Sequence, residues 1–331
     1  MINRRILIFG LIVVLGLATI RLGTNMFKEK KTAEIDKIEV VRSDAGEMDI
    51  EVVEDDGMRK TVLYFSDAEG YLVPVMKRIP WEEGIAKSTI RNMTNSSELR
   101  EVLGSTGLKP LIPTGTSVNG ISIDEASGLC KIDFSEEVQD NESNKDEENL
   151  IKGVVYTLTE FPAVKEVQIL VGGKMIPVMK HGTAIDKPMS RKNINLLGKL
   201  EDGRSNVVVY YKGNADADYD YFVPVTIPTL APSANVYSAL DLLFKGPPTG
   251  TTLSSDIPTG VNFTAVEIKN GTAFVDIKFP ENSSLSEDVV LNNIMKNIGL
   301  TLSQFEEIET VELLVDGQII NTTIPVFANE Y

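Results

Sequence analysis

Two short apolar runs, 61–65 and 71–79, flank a polar turn and predict a strand pair. The period then changes, because Ile85, Ala86, Ile90 and Met93 fall on one helical face. A turn-rich stretch follows and ends in Ile112-Pro113-Thr114-Gly115, where proline fixes one dihedral and glycine frees the next. Alternation returns with Ile121 and Ile123 against Ser122 and Asp124, then with Cys130, Ile132 and Phe134 against Lys131 and Asp133. Ile151, Val154, Val155, Leu158 and Phe161 mark a second helix, which Asn144 and Glu147 open at the spacing of a capping box. Val167, Ile169 and Val171 supply another strand, and Gly172-Gly173 turns it into a last one.

The same series occurs again. Tyr71-Leu72-Val73-Pro74-Val75 returns as Tyr221-Phe222-Val223-Pro224-Val225, 150 residues on. Ile112-Pro113-Thr114-Gly115 returns as Ile257-Pro258-Thr259-Gly260 after 145, and Val167-Gln168-Ile169-Leu170-Val171 as Val311-Glu312-Leu313-Leu314-Val315 after 144. Three ordered matches with so little drift identify an internal repeat. Strands at 207–211 and 221–227 and a helix through Val236, Ala239, Leu240, Leu243 and Phe244 follow the first copy. So do a strand pair through Val266, Ile268, Ala273, Val275 and Ile277 and a helix from Leu291 to Phe305, opened by Ser284 and Glu287. The expected fold class is α+β, two tandem copies of a ββαββαββ sandwich with helices on a mainly antiparallel sheet.

At the amino terminus, Arg4 and Arg5 precede fifteen apolar residues, 6–20, with Arg21 able to snorkel and 22–27 able to extend the helix. This predicts an uncleaved single-pass signal-anchor over 1–27, with the remainder outside the cytoplasm. A charged linker, 28–59, with a short strand at 50–53, would lift the first domain, 60–198, and the second, 199–331, off the membrane.

Motif by motif, each copy resembles the GerMN domain of the GerM family of sporulation and germination proteins. The resemblance rests on Gly70-Tyr71-Leu72-Val73-Pro74-Val75, the Pro-Thr-Gly turn, the helix end Val155-Tyr156-Thr157-Leu158-Thr159-Glu160-Phe161-Pro162 and the strand reaching Leu170-Val171-Gly172-Gly173. Pro188-Met189-Ser190-Arg191-Lys192-Asn193-Ile194-Asn195 is similar to the tail that follows such domains. The second copy diverges, with Ile298-Gly299-Leu300-Thr301-Leu302-Ser303-Gln304-Phe305 at the helix end. The resemblance implies a tandem-domain envelope protein made in the mother cell of a spore former, needed for spore maturation and germination. It further implies association with the channel between mother cell and forespore, through domains similar to ring-building domains of secretion machines. Family members are often lipoproteins, whereas no cysteine follows the apolar run here, so a transmembrane anchor would take that role.

Chemistry is sparse beside this architecture. The formal charge is -16 and no basic cluster stands out along the sequence, which argues against nucleic acid and anionic headgroups as partners. Cys130 is the single cysteine, so neither an internal disulfide nor a thiolate-rich metal site is available. It aligns with Ala273, a small core position. His181, the single histidine, stands in a loop without a repeat partner. Asp133 and Asp276 recur on the polar face of a strand, as exposed carboxylates or turn partners. Residues 136–148 carry seven acidic side chains without calcium-loop spacing, and Gly172-Gly173 leads into a strand instead of a phosphate-binding helix. Tyr210, Tyr211, Tyr219 and Tyr221 cluster around one hairpin, and Tyr219 and Tyr221 are the candidates for stacking on a sugar ring.

No catalytic, cofactor or metal residues are therefore assigned. The expected role is a non-enzymatic envelope assembly protein that contacts channel proteins or itself, membrane-bound through its first helix. The alternative is a peptidoglycan-binding module built on Tyr219 and Tyr221.

Overall fold

The computed structural model describes residues 38–39, 57–82, 84–213, 219–281, 288–320 and 328–329. The anchor at 1–27, the strand at 50–53 and the cap at 284–287 lie outside them, as does most of the linker. Both repeats belong to one compact unit, Lys37–Tyr331. Its first strand, β1 (Ile38–Glu39), precedes the first repeat.

The first repeat runs β2 (Met58–Ser66), β3 (Leu72–Pro80), α1 (Ile85–Arg91), α2 (Ser97–Leu103), β4 (Val118–Asp124), β5 (Leu129–Phe134), α3 (Asn144–Leu158) and β6 (Glu166–Val171). The second runs β7 (Asn206–Gly213), β8 (Tyr221–Pro228), α4 (Val236–Lys245), β9 (Asn262–Lys269), β10 (Thr272–Lys278), α5 (Asp288–Leu302), β11 (Thr310–Val315) and β12 (Gln318–Ile319). In each copy an antiparallel pair, β2–β3 or β7–β8, stands beside a sheet ordered β4-β5-β6 or β9-β10-β11. The β4–β5 and β9–β10 pairs are antiparallel, whereas β5–β6 and β10–β11 are parallel. A parallel neighbour needs a crossover, and α3 and α5 supply it.

Three expectations are corrected. The last strand of the unit is vestigial: the turns have positive φ at both centres, Gly172-Gly173 and Asp316-Gly317, as a tight hairpin requires. Among the described residues, the first copy forms a single Val171–Lys174 bridge after its turn and the second the two-residue β12. Helix α2 lies within the stretch read as turns, capped by Ser96, whose hydroxyl accepts from Leu99 N at 3.1 Å. It has no helical counterpart among the described residues of the second repeat, where Gly246-Pro247-Pro248 follows α4. The cap of α3 is Ser143, accepting from Asp146 N at 3.1 Å, one residue before the expected position.

The core is continuous across both copies and includes Leu63, Phe65, Ile90, Ile132, Phe134 and Leu150 with Val209, Tyr211, Leu240, Val275, Ile294 and Leu313. The repeated Ile-Pro-Thr-Gly turns have Gly115 and Gly260 at φ 86° and 90°. A side chain at Gly260 would also meet Pro280 at 2.8 Å, so glycine is required twice over there.

Candidate functional site

The feature that joins the copies comes from two asparagines. Asn195, in the segment after the first repeat, accepts from Leu72 N and donates to Leu72 O, both at 2.8 Å, and donates to Pro224 O at 2.8 Å. Asn329, after the second repeat, accepts from Phe222 N at 2.7 Å and donates to Phe222 O at 2.9 Å and Pro74 O at 2.7 Å. Leu72 and Phe222 are repeat equivalents, as are Pro74 and Pro224. Each amide therefore satisfies a donor and acceptor on one copy and a carbonyl on the other, with the roles exchanged. Both side chains are buried, where such pairing is mandatory. Asn329 O also accepts from Met76 N, and Ile194 O from Thr226 N.

The first tail is pinned a second time by Arg191. Its guanidinium donates to Thr159 Oγ1 at 2.7 Å, Tyr156 O at 3.0 Å and the Glu160 carboxylate, and lies over the Tyr156 ring. Tyr64 Oη donates to the same carboxylate at 3.2 Å, and burial first, then that carboxylate, pushes the phenol well above its ordinary pKa. The helix-end motif and the tail motif thus meet in space. In the second copy Glu160 becomes Gln304, whose amide pairs with Val208 N and O at 2.8 and 2.7 Å and with Thr301 O.

Sheet edges differ in cover. Met189 forms a bridge with Val167 on the outer edge of β6, and β1 pairs Ile38 with Val311, the repeat equivalent, on β11. The opposite edges, β4 and β9, have no strand partner among the described residues beyond β5 and β10. Their apolar Ile123 and Ile268 are exposed.

The residues singled out in the sequence fall elsewhere. Tyr221 is 4% exposed with its hydroxyl 3.4 Å from Asp67 Oδ2, while Tyr219 is half-buried with its ring 6.4 Å from that of Tyr221. Tyr211 is fully buried and donates to Leu242 O and Gly246 O, and Tyr210 is half-buried. Asp133 accepts from Gly173 N at 2.7 Å and Asp276 from Gly317 N at 3.0 Å, so the recurring carboxylates hold recurring turns. Cys130 is buried, which pushes its thiol up to about 12 and removes the thiolate. His181 has Nε2 2.8 Å from Asn141 O, and its backbone N–H donates to Glu147. Glu147, expected in the cap, is instead buried and holds both His181 N and Thr183 N at 2.8 Å. Burial would raise its pKa, but these hydrogen bonds outweigh it and hold the carboxyl below its ordinary value. Among the described residues, no three His, Cys, Asp or Glu side chains gather as metal ligands, and no helix is long and apolar enough to cross a membrane.

Sequence reasoning included Arg191 and Asn195 in the tail motif without giving either a role, and passed over Asn329. The asparagines are 134 residues apart, off the repeat period, so self-comparison does not align them.

Comparison with known proteins agrees with the geometry. The family described as "Germane: Sporulation and spore germination" matches residues 62–177 and again 208–321. The "Spore germination protein GerM" of Bacillus subtilis is 27% identical over 266 residues, 77% of this chain and 71% of that protein. The solved tandem GerMN domains of the sporulation protein GerM from Bacillus subtilis superpose with a TM-score of 0.68 at 27% identity, covering 82% of this chain and 99% of that one. Two family matches, one on each copy of the repeat, make this chain a tandem GerMN-domain member of the Germane family of sporulation and spore-germination proteins.

Proposed function

We propose that the chain is a non-enzymatic assembly protein of the cell envelope, tethered to the membrane by its N-terminal apolar segment, with both GerMN domains outside the cytoplasm. In this reading it acts during sporulation and germination alongside proteins of the channel between mother cell and forespore. The observation that carries it is the asparagine clasp. Two copies locked by reciprocal side-chain bonds form a rigid double module, with β4 and β9 left as strand edges for partners. The recurring polar residues, Asp133 and Asp276, are committed to turns, which suits a scaffold and supplies no acid–base pair. The test is crosslinking from β4 and β9 in sporulating cells, followed by identification of the captured proteins. Recovery of membrane channel proteins, lost when an edge is blocked by proline, supports the proposal; capture that ignores the edges rejects it.

A glycan-binding alternative would rest on Tyr219, whose ring is the more open of the two. Pelleting of residues 57–331 with purified peptidoglycan, abolished by Tyr219→Ala, would favour it over assembly.

A further inference from the structure

The outer edges of β6 and β11 are closed by segments of different origin. In the first copy the tail comes back after β6: Met189 and Val167 exchange main-chain hydrogen bonds of 2.9 and 2.8 Å, and Gln168 donates its side-chain amide to Ile185 O at 2.9 Å. The stretch 185–189 therefore runs beside this strand, after an excursion through 175–184. Val171 and the clasp at Asn195 are 24 residues apart, whereas Val315 and Asn329 are 14 apart. The second tail is short by ten residues, the length of that excursion.

Val311, the repeat equivalent of Val167, is covered all the same. Its neighbour is Ile38 of β1, antiparallel as Met189 is to Val167, with Glu39 opposite Thr310. Both valines are fully buried, and a strand edge at such a position carries main-chain donors and acceptors that another segment has to satisfy. A strand from ahead of the first repeat thus does for the second what the first does with its own tail. Recurrence at one register position marks this edge as a place built to receive a strand. The hold is slight, since β1 has two residue pairs and is joined to β2 by 18 residues, 40–57. So small a ladder persists because tethering keeps the strand at an effective concentration on the order of millimolar.

We propose that the outer edge of β11 is a strand-binding site whose ligand is this chain's own linker strand, held as a displaceable strap. The ligand is recognised through main-chain bonds, as an extended antiparallel segment laid beside Thr310 and Val311. While the strap is in place the edge is closed to other strands; drawn away with the linker, it leaves an open edge in addition to β4 and β9. That last consequence rests on the edge-assembly reading given above, whereas the strap itself does not.

The purified full-length chain, in detergent, tests this with Glu39→Cys/Thr310→Cys on a Cys130→Ala background. Facing positions of an antiparallel pair lie within disulfide reach. Mild oxidation should give an internally closed monomer that runs ahead of the reduced form on a denaturing gel. An open monomer, or a covalent dimer from a strand laid on a neighbouring copy, overturns the proposal. A second variant, Ile38→Pro, lies outside both repeats and breaks the pairing of the strap without touching either core. Hydrogen exchange at Thr310 and Val311 should rise by about tenfold, the factor for roughly one net main-chain hydrogen bond. A peptide of residues 34–43, added at about millimolar concentration, should restore the protection. Unchanged exchange, or protection that the peptide does not restore, overturns the site. These measurements use purified protein, so their failure is distinct from a failure of capture at β4 and β9 in cells.

Discussion

The two repeats keep one backbone plan and solve its side-chain problems differently. In the first, Leu111 lies flush on α3 at Gly153, where an added Cβ would meet Leu111 Cδ1 at 2.1 Å. In the second, the same two positions are Asp256 and Asn297. Asn297 is fully buried, and neither atom of its amide has a hydrogen-bond partner among the described residues. Asp256 sits 3.2 Å from Lys212 Nζ, and burial raises its pKa although that lysine pulls the other way. The main-chain bridges nevertheless repeat faithfully: Ser66 pairs with Lys109 as Lys212 pairs with Ser254. Backbone pairing preserves the fold, and the packing of individual positions has drifted around it.

Exchanging the solutions breaks the comparison most severely. Gly153→Asn adds overpacking against Leu111 and should cost about 3 kcal/mol in urea unfolding. The change in the other direction, Asn297→Ala, removes the buried amide, leaves Asp256 on Lys212 and should raise stability by about 1 kcal/mol. Equal and opposite shifts are not expected, and loss of stability in Asn297→Ala would mean that the amide is satisfied after all.

The clasp gives the next largest effect. Asn195→Ala strands a donor and two acceptors and should lower the unfolding free energy by about 2–3 kcal/mol, with Asn329→Ala close behind. Because each amide bridges both copies, the double variant should make the repeats unfold in separate steps; a single transition in calorimetry would refute the coupling.

Smaller still is the exchange at the helix ends. Gln304→Glu removes the amide donor to Val208 O and Thr301 O and should cost about 2 kcal/mol, whereas Glu160→Gln keeps an acceptor for Arg191 and should cost about 1 kcal/mol. Similar losses in urea midpoint for the two would argue against different roles.

The slightest change is expected from pH. Glu147 has a folded pKa below its unfolded one, so its stabilisation is complete above the ordinary carboxylate value of about 4.3 and fades as pH falls through the folded value. Glu147→Gln should flatten that part of the stability curve, measured from pH 6 downward. An unchanged acid limb would assign the pH dependence to other carboxylates.

Much of this architecture was legible from periodicity, because strands such as Leu129–Phe134 and helices such as Asn144–Leu158 each bury one face. Helix α2 was not, since its seven residues show only Leu99 and Leu103 as buried positions and its N-cap lies amid other polar residues. The clasp was beyond reach for another reason. An asparagine in a tail reads as a turn residue until the strands it bridges are placed, and those strands, β3 and β8, come one from each repeat.

The bond from Asn329 to Pro74 closes a loop of 255 residues, the longest of the clasp. Entropy makes such a closure slow, so the earlier half must wait with part of β3 unsatisfied until the last segment arrives. Completion of the first module is in effect deferred until the segment after the second repeat is in place, so a chain cut short of Asn329 keeps both halves but leaves the earlier one unfinished.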